Sequence, residues 1–424
     1  MHSRPPRAHP TASSQPSPSR RRCPRGRTLG WLLVAGLAAG GALAQPPVGD
    51  PPADEQAESS PRPVEVARAR VVGERPGHHL VRGLRRLHDG GGRLDWLRRD
   101  DWIAFDRIGD DGRSDVYLLH PNDPSSPRCL TCDIYDFRKT SVLSPAWHPS
   151  GELLAVLVQR HATKLDLDVG RLSTPYRGLH AELWIVYRDG RQYLQLTHAS
   201  ERGGAVLDAH FSHEGDRLAW SERVTNRSAP WGEWAVRVAE LRTGRGLRLG
   251  KVRTYEPEPG EGIVMVHGFA PNDHALDLSA LPGPGLPDVG LDVQILDLDT
   301  KTSDRLTTSP DERDLLLSHV PSADLVVWTT DRGIPRTGDP RLPWRGDLWL
   351  RSLSGIRQER LTFFNDPASD HYLGEALVAD LAWSSDGRRL ALQVVFVGEN
   401  DRGPRQAIYL LEIAPLELGD EPWR

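Results

Sequence analysis

Six times between residues 94 and 392 the chain repeats one phrase: an aromatic or similar anchor, a short turn, then an apolar run. It reads LDWLRRDDWIAF around Trp96, PAWHPSGELLAVLV around Trp147, AHFSHEGDRLAW around Phe211, HGFAPNDHALDL around Phe269, SHVPSADLVVW around His319 and LAWSSDGRRLALQV around Trp383. The anchors are 51, 64, 58, 50 and 64 residues apart, so a fixed unit carries insertions of varying length. A chain built this way folds as an array of like units, and 424 residues then make one closed architecture rather than two or three separate domains.

The second unit shows how a repeat folds. Ser144 to Trp147 reads as a short strand, His148 to Gly151 as a turn, and Glu152 to Gln159 as a strand apolar on both faces. A strand apolar on both faces is packed on both faces. Ala181 to Tyr187 gives a third strand, Arg188-Asp189-Gly190 a hairpin turn, and Gln192 to Thr197 a fourth. Four antiparallel strands per repeat, buried on both sides, describe the blade of a β-propeller. The expected fold is therefore all-β, a six-bladed propeller over residues 91–415, with a tail at 416–424. The sixth unit ends in QAIYLLEI without a fourth strand, so part of the segment 64–90, VEVARARVV or HLVRGLRRL, is expected to supply it and close the ring.

PAWHPSGELLA, HFSHEGDRLAW and LAWSSDGRRLA, together with the strand-ending Leu-Thr pairs, resemble the repeats of TolB-type propellers. That family of six-bladed relatives of the WD-repeat proteins occurs in bacterial periplasmic and secreted chains. The resemblance implies fold rather than activity, because propellers host binding and catalysis alike. Within it, the chain is similar to an uncharacterised secreted subgroup. The fifth unit departs from the pattern, with His319 at the aromatic position and Ala323 at the turn glycine.

Residues 1–44 hold seven arginines and no acid, and include the apolar run LGWLLVAGLAAGGALA and the small-residue site Ala42-Leu43-Ala44. This is the pattern of a secretory signal peptide cleaved before Gln45. The apolar run is short for a membrane span, which needs about 20 residues. Ser19-Arg20-Arg21-Arg22 resembles a twin-arginine signal, with Cys23 and Pro24 out of pattern, so both export routes stay open. Residues 45–63 are Pro-rich and acidic, a solvated linker. Removing seven arginines takes the formal net charge from −5 to −12, which argues against a nucleic-acid partner. A periplasmic or secreted monomer without a membrane span after cleavage is expected.

After cleavage two thiols remain, Cys129 and Cys132 in RCLTCD. Residues three apart on a strand face opposite sides, so a bridge requires the chain to turn at Leu130-Thr131. Haem attachment is excluded by Asp133 at the axial-ligand position, and zinc lacks two further regularly spaced ligands. A structural disulfide or two free thiols is the expected reading, ahead of redox catalysis.

Every long insertion falls between the second and third strands of a unit: 161–180, 224–233, 279–290, 331–346 and 398–405. In a propeller these loops share a face with the blade-to-blade connections, so that face is expected to carry the function. Ligand contacts are expected from Arg223, Trp231, His210 and His267. The first functional reading is a scaffold for a cell-envelope protein, peptide or glycan, with no cofactor. The alternative is a propeller enzyme, carbohydrate-active or a metal-assisted lyase or hydrolase. It would use His210, His267, Asp208 and Glu222 as proton carriers or as ligands to a divalent metal. His148 and His213, in turns between first and second strands, read as turn caps or as groups that bond a neighbouring blade. A prolyl-oligopeptidase-like serine hydrolase is set aside because no G-x-S-x-G occurs.

Overall fold

A computed structural model describes residues 79–414, apart from 160–180, 203, 226–232, 244–245, 257–260, 283–289, 322, 336–343, 356–357 and 398–403. The signal peptide, the linker, VEVARARVV, Trp231 and the C-terminal tail therefore lie outside the described residues. Six four-stranded antiparallel sheets account for the fold, with no α-helix among the described residues. No helix there is long and apolar enough to cross a membrane.

The innermost strands are Leu94–Leu97, Ser141–Trp147, Ala205–Phe211, Glu261–Phe269, Asp314–His319 and Ala376–Trp383, one for each of blades 1 to 6. Each lies against the next and the last against the first, so the blades form a ring. Val81–Asp89, which contains most of HLVRGLRRL, pairs antiparallel with Pro404–Ile413 and completes blade 6. The N-terminal strand thus closes the ring by ordinary strand pairing. Blade 5 has the same four strands as the others despite its irregular anchor.

The repeated anchor explains how blades stack. Trp147 packs with Leu97, Ala104, Val116 and Leu118 of blade 1, and Trp383 packs with Val327, Leu348 and Leu350 of blade 5. Phe211, Phe269 and Trp96 do the same at the boundaries 2–3, 3–4 and 6–1. Each anchor fills the gap to the preceding blade, at roughly 1.5–3 kcal/mol for a fully buried large side chain. At the boundary between blades 4 and 5 the wedge is polar: His319 Nδ1 lies 2.9 Å from Asp277 Oδ2, on the second strand of blade 4.

The Leu-Thr pairs carry a second device. In blades 1, 2, 4 and 5 the threonine hydroxyl donates to an acid at the start of the third strand. The distances are 2.7 Å for Thr131–Asp115, 2.7 Å for Thr197–Glu182, 3.3 Å for Thr307–Asp292 and 2.8 Å for Thr362–Asp347. The same hydroxyl accepts the next backbone N–H of that strand, from Val116, Leu183, Val293 and Leu348. The pair thus fixes the register at which the short outer strand ends, where backbone pairing alone is weak.

Candidate functional site

Five of the six inner strands carry a register shift at the same place, between Leu143 and Ala146, Leu207 and His210, Val266 and Gly268, Leu315 and Ser318, and Val378 and Asp380. Ser144, Asp208 and Leu316 sit in these bulges with φ of 48°, 46° and 58°. A bulge bends the strand and re-aims one side chain. The consequence lies on the ring axis. Arg93, just before the inner strand of blade 1, reaches Asp208 of blade 3 and Asp380 of blade 6, each at 3.4 Å.

Carboxylates around this triad also join neighbouring blades. Asp380 Oδ2 accepts Leu94 N–H at 2.8 Å, Asp106 Oδ2 accepts Ser144 N–H at 2.8 Å, and Asp95 Oδ2 accepts Trp147 N–H at 2.6 Å. Burial dominates their protonation. It lifts Asp106 to about 7 and Asp95 to about 6, outweighing the backbone donors that favour the charged forms. Asp208 and Asp380 are also raised by burial, with Arg93 opposing. For Arg93 burial opposes the charge, and the carboxylates Asp208, Asp380 and Asp106 prevail, raising its pKa.

From the bulges to the turns between first and second strands runs a cavity of about 610 Å³ lined by all six inner strands. Its rim is the position two residues after each anchor: Arg98, Pro149, His213, Pro271, Pro321 and Ser385. The sequence pointed to the opposite, insertion-bearing face. The cavity is on the turn face, and at least half of each insertion lies outside the described residues.

Three of the anticipated residues meet this cavity. Asp208, His210 and His267 line it; Glu222 and Arg223 do not. Glu222 lies toward the insertion end of blade 3, where it accepts Trp220 Nε1–H at 3.1 Å and faces Arg237 at 3.5 Å and Arg202 at 3.6 Å. Arg223 is next to it on the same strand, its pKa lowered by burial. Burial, reinforced by Arg93, takes His210 down to about 4 and His267 well below the usual imidazole value, so both are neutral at pH 7. His267 Nε2 lies 2.6 Å from the Ser279 hydroxyl. Among the described residues no three of Asp208, His210, His267 and Glu222 bring ligand atoms within 4.8 Å of one another; Asp115, Cys129 and Cys132 do, and those sulfurs are joined in a disulfide.

Two Asp-His pairs on the wall of blades 3 to 5 complete the site. His213 Nδ1 lies 2.8 Å from Asp273, which also accepts the backbone N–H groups of His213 and Glu214. Burial works against that carboxylate, yet these donors hold it below the ordinary range. Beside it, Asp277 is raised by burial, with the His319 bond opposing. His319 Nε2 has no partner among the described residues and its side chain is 9% exposed. His148, by contrast, bonds the Gly215 carbonyl of blade 3 at 3.0 Å and Ser150 at 2.7 Å. Sequence reasoning overlooked Arg93, Arg98 and the His319–Asp277 pair. The departure of His319 from the aromatic pattern was the available signal.

The chain matches no protein-family model and no curated protein. Among solved structures it is similar to TolB from Acinetobacter baumannii, at 17% identity and a TM-score of 0.43, over 64% of this chain and 54% of that one. A putative TolB from Agrobacterium tumefaciens gives 18% identity and a TM-score of 0.43, over 68% and 80% of the two chains. An oligogalacturonate lyase in complex with manganese gives 14% and 0.44, over 78% and 93%. The chain thus spans about half the length of the first of these. The six-bladed propeller itself is established by the chain's own strand pairing.

Proposed function

We propose that this chain is an exported binding module. It receives a carboxylate-bearing segment of a cell-envelope protein at the turn-side mouth of its axial cavity. The observation that carries the reading is Arg98, on the rim, whose guanidinium has no hydrogen-bond or ion-pair partner among the described residues. The side chain is exposed at the mouth; partial desolvation there lowers its pKa, while Asp95 and Asp273 favour its charged form. An unpaired cation over a concave surface favours a carboxylate, which arginine can grip in bidentate fashion. Pro149, Pro271 and Pro321 make three of the other five rim positions rigid and uncharged. The signal-peptide pattern of residues 1–44 supports the envelope location.

Site-specific photo-crosslinking in envelope extracts tests the proposal. Benzoyl-phenylalanine at the positions of Arg99 and Ser385, both on the cavity, is expected to trap one partner. The same group at Ile108 and Val224, exposed toward the insertion face, is expected to leave it free. Arg98→Glu lowers the rim yield about tenfold, in line with loss of one charged hydrogen bond. Adducts formed only from Ile108 and Val224 would place the partner on the other face.

The enzyme reading is second, and one observation favours it. Asp277 holds His319 by Nδ1 and leaves Nε2 toward the cavity, the arrangement of an oriented acid-base imidazole.

A further inference from the structure

Outside the cavity, the Cys129–Cys132 pair at the end of blade 1 stands apart. The disulfide closes a sequence separation of three, with its Cα atoms 5.9 Å apart. So small a ring removes little entropy from an unfolded chain. The loop is moreover held without it. Leu130 N–H donates to Val116 O at 2.8 Å, and Ile134 N–H to Thr131 O at 3.0 Å. The Thr131 hydroxyl bonds Asp115 at 2.7 Å, and Leu130 and Ile134 are buried. A clamp is redundant at a loop already fixed by these contacts.

The surroundings of the two sulfurs are unequal. Cys132 is exposed and Cys129 half-buried, with Asp115 beside both. Cys132 N–H points at Cys129 Sγ from 3.1 Å, and the Tyr117 hydroxyl lies 3.6 Å from Cys132 Sγ. We infer that Cys129–Cys132 is a thiol–disulfide exchange site, reducible in the folded protein by a dithiol or dithiol protein of the same compartment.

The exchange follows from the geometry. A thiolate of the reductant attacks the exposed Cys132 Sγ and forms a mixed disulfide. The Cys129–Cys132 bond breaks and its electron pair goes to Cys129 Sγ, where the Cys132 N–H stabilises the leaving thiolate. The Asp115 carboxyl, raised by burial, supplies the proton. The second thiol of the reductant then displaces Cys132, leaving two protein thiols and the reductant as a disulfide. The low pKa partner in such pairs is the sulfur best stabilised as an anion.

The test is equilibration of the full chain in a series of reduced and oxidised glutathione buffers. Alkylation and peptide mass spectrometry read Cys129 and Cys132 separately from Cys23. The pair is expected to pass from oxidised to reduced within the series, with the far-UV spectrum and melting temperature retained. In Asp115→Asn, reduction by dithiothreitol is expected to be about tenfold slower than in the parent at pH 5, the side of the comparison on which the raised Asp115 carboxyl is the more protonated. At pH 8 the variant should equal or exceed the parent, because an ionised Asp115 repels the attacking thiolate. A pair that stays oxidised until the chain is unfolded, or whose reduction melts the blade, is a structural clamp and overturns the inference. A variant-to-parent ratio that does not change between the two pH values overturns the role given to Asp115.

Discussion

Replacing Asp347 with alanine is expected to destabilise the propeller by about 3–5 kcal/mol, the usual cost of removing one partner of a buried ion pair. The carboxylate has no solvent exposure. It accepts from Arg360 at 2.7 Å, the Thr362 hydroxyl at 2.8 Å, Phe364 N–H at 2.8 Å and Asn365 at 3.0 Å. Asn365 in turn holds both the N–H and the carbonyl of Ala376, where the inner strand of blade 6 begins. One residue thus organises the end of blade 5 and the entry to blade 6. Urea unfolding followed by tryptophan fluorescence measures the loss. A midpoint unchanged from the parent would show that the network is ornamental. Asp347→Asn keeps the shape and part of the hydrogen bonding, so it should fall between parent and alanine variant.

A loss of similar size, about 3–5 kcal/mol at pH 7, is expected for Arg93→Leu, because Asp208 and Asp380 would be left buried without their cation. The pH dependence separates this from loss of packing. Both carboxyls already have folded pKa values above their unfolded ones. Such groups contribute stability that is present below the unfolded pKa and lost as pH rises through the folded pKa. Without Arg93 those folded values rise further, so the deficit of the variant against the parent should shrink steadily from pH 7 to pH 4. Adding Asp208→Asn and Asp380→Asn should recover much of the stability at pH 7. A deficit that is the same at both pH values would contradict the electrostatic account. In the parent, Asp106 at about 7 and Asp95 at about 6 pull stability down as pH rises toward neutrality. His210, depressed to about 4, pulls it up between there and its unfolded value near 6.5.

The ring was legible because period-two strands and turn residues are local signals. The anchors located each inner strand, and the want of a fourth strand after QAIYLLEI pointed to VEVARARVV or HLVRGLRRL, between which only the strand pairing of Val81–Asp89 decides. The Leu-Thr pairs were visible as strand ends, but their partners Asp115, Glu182, Asp292 and Asp347 were not. An acid opening a strand looks the same in sequence whether it faces water or a threonine. Arg93 was invisible for a stronger reason. Its partners lie two blades away on one side and across the closure of the ring on the other, and no spacing rule links positions 93, 208 and 380. The bulges that bring those residues together cannot be read from alternation, since a bulge is one residue out of phase. His210 and His267 do meet the axial cavity, as their place in the inner strands implied. Glu222 does not, because it sits on the second strand toward the far face.

The face on which the partner docks distinguishes the axial mouth from the insertion loops as the binding surface. Hydrogen–deuterium exchange of the full chain, alone and with the partner trapped from the rim, addresses that directly. Binding at the axial mouth should slow exchange together in the turns at 97–101, 148–152, 212–216, 270–274, 320–324 and 384–388, which follow the anchors around the cavity. Slowing confined to 161–180, 226–232, 283–289 and 336–343, with the six turns unchanged, would place binding on the insertion face and contradict it.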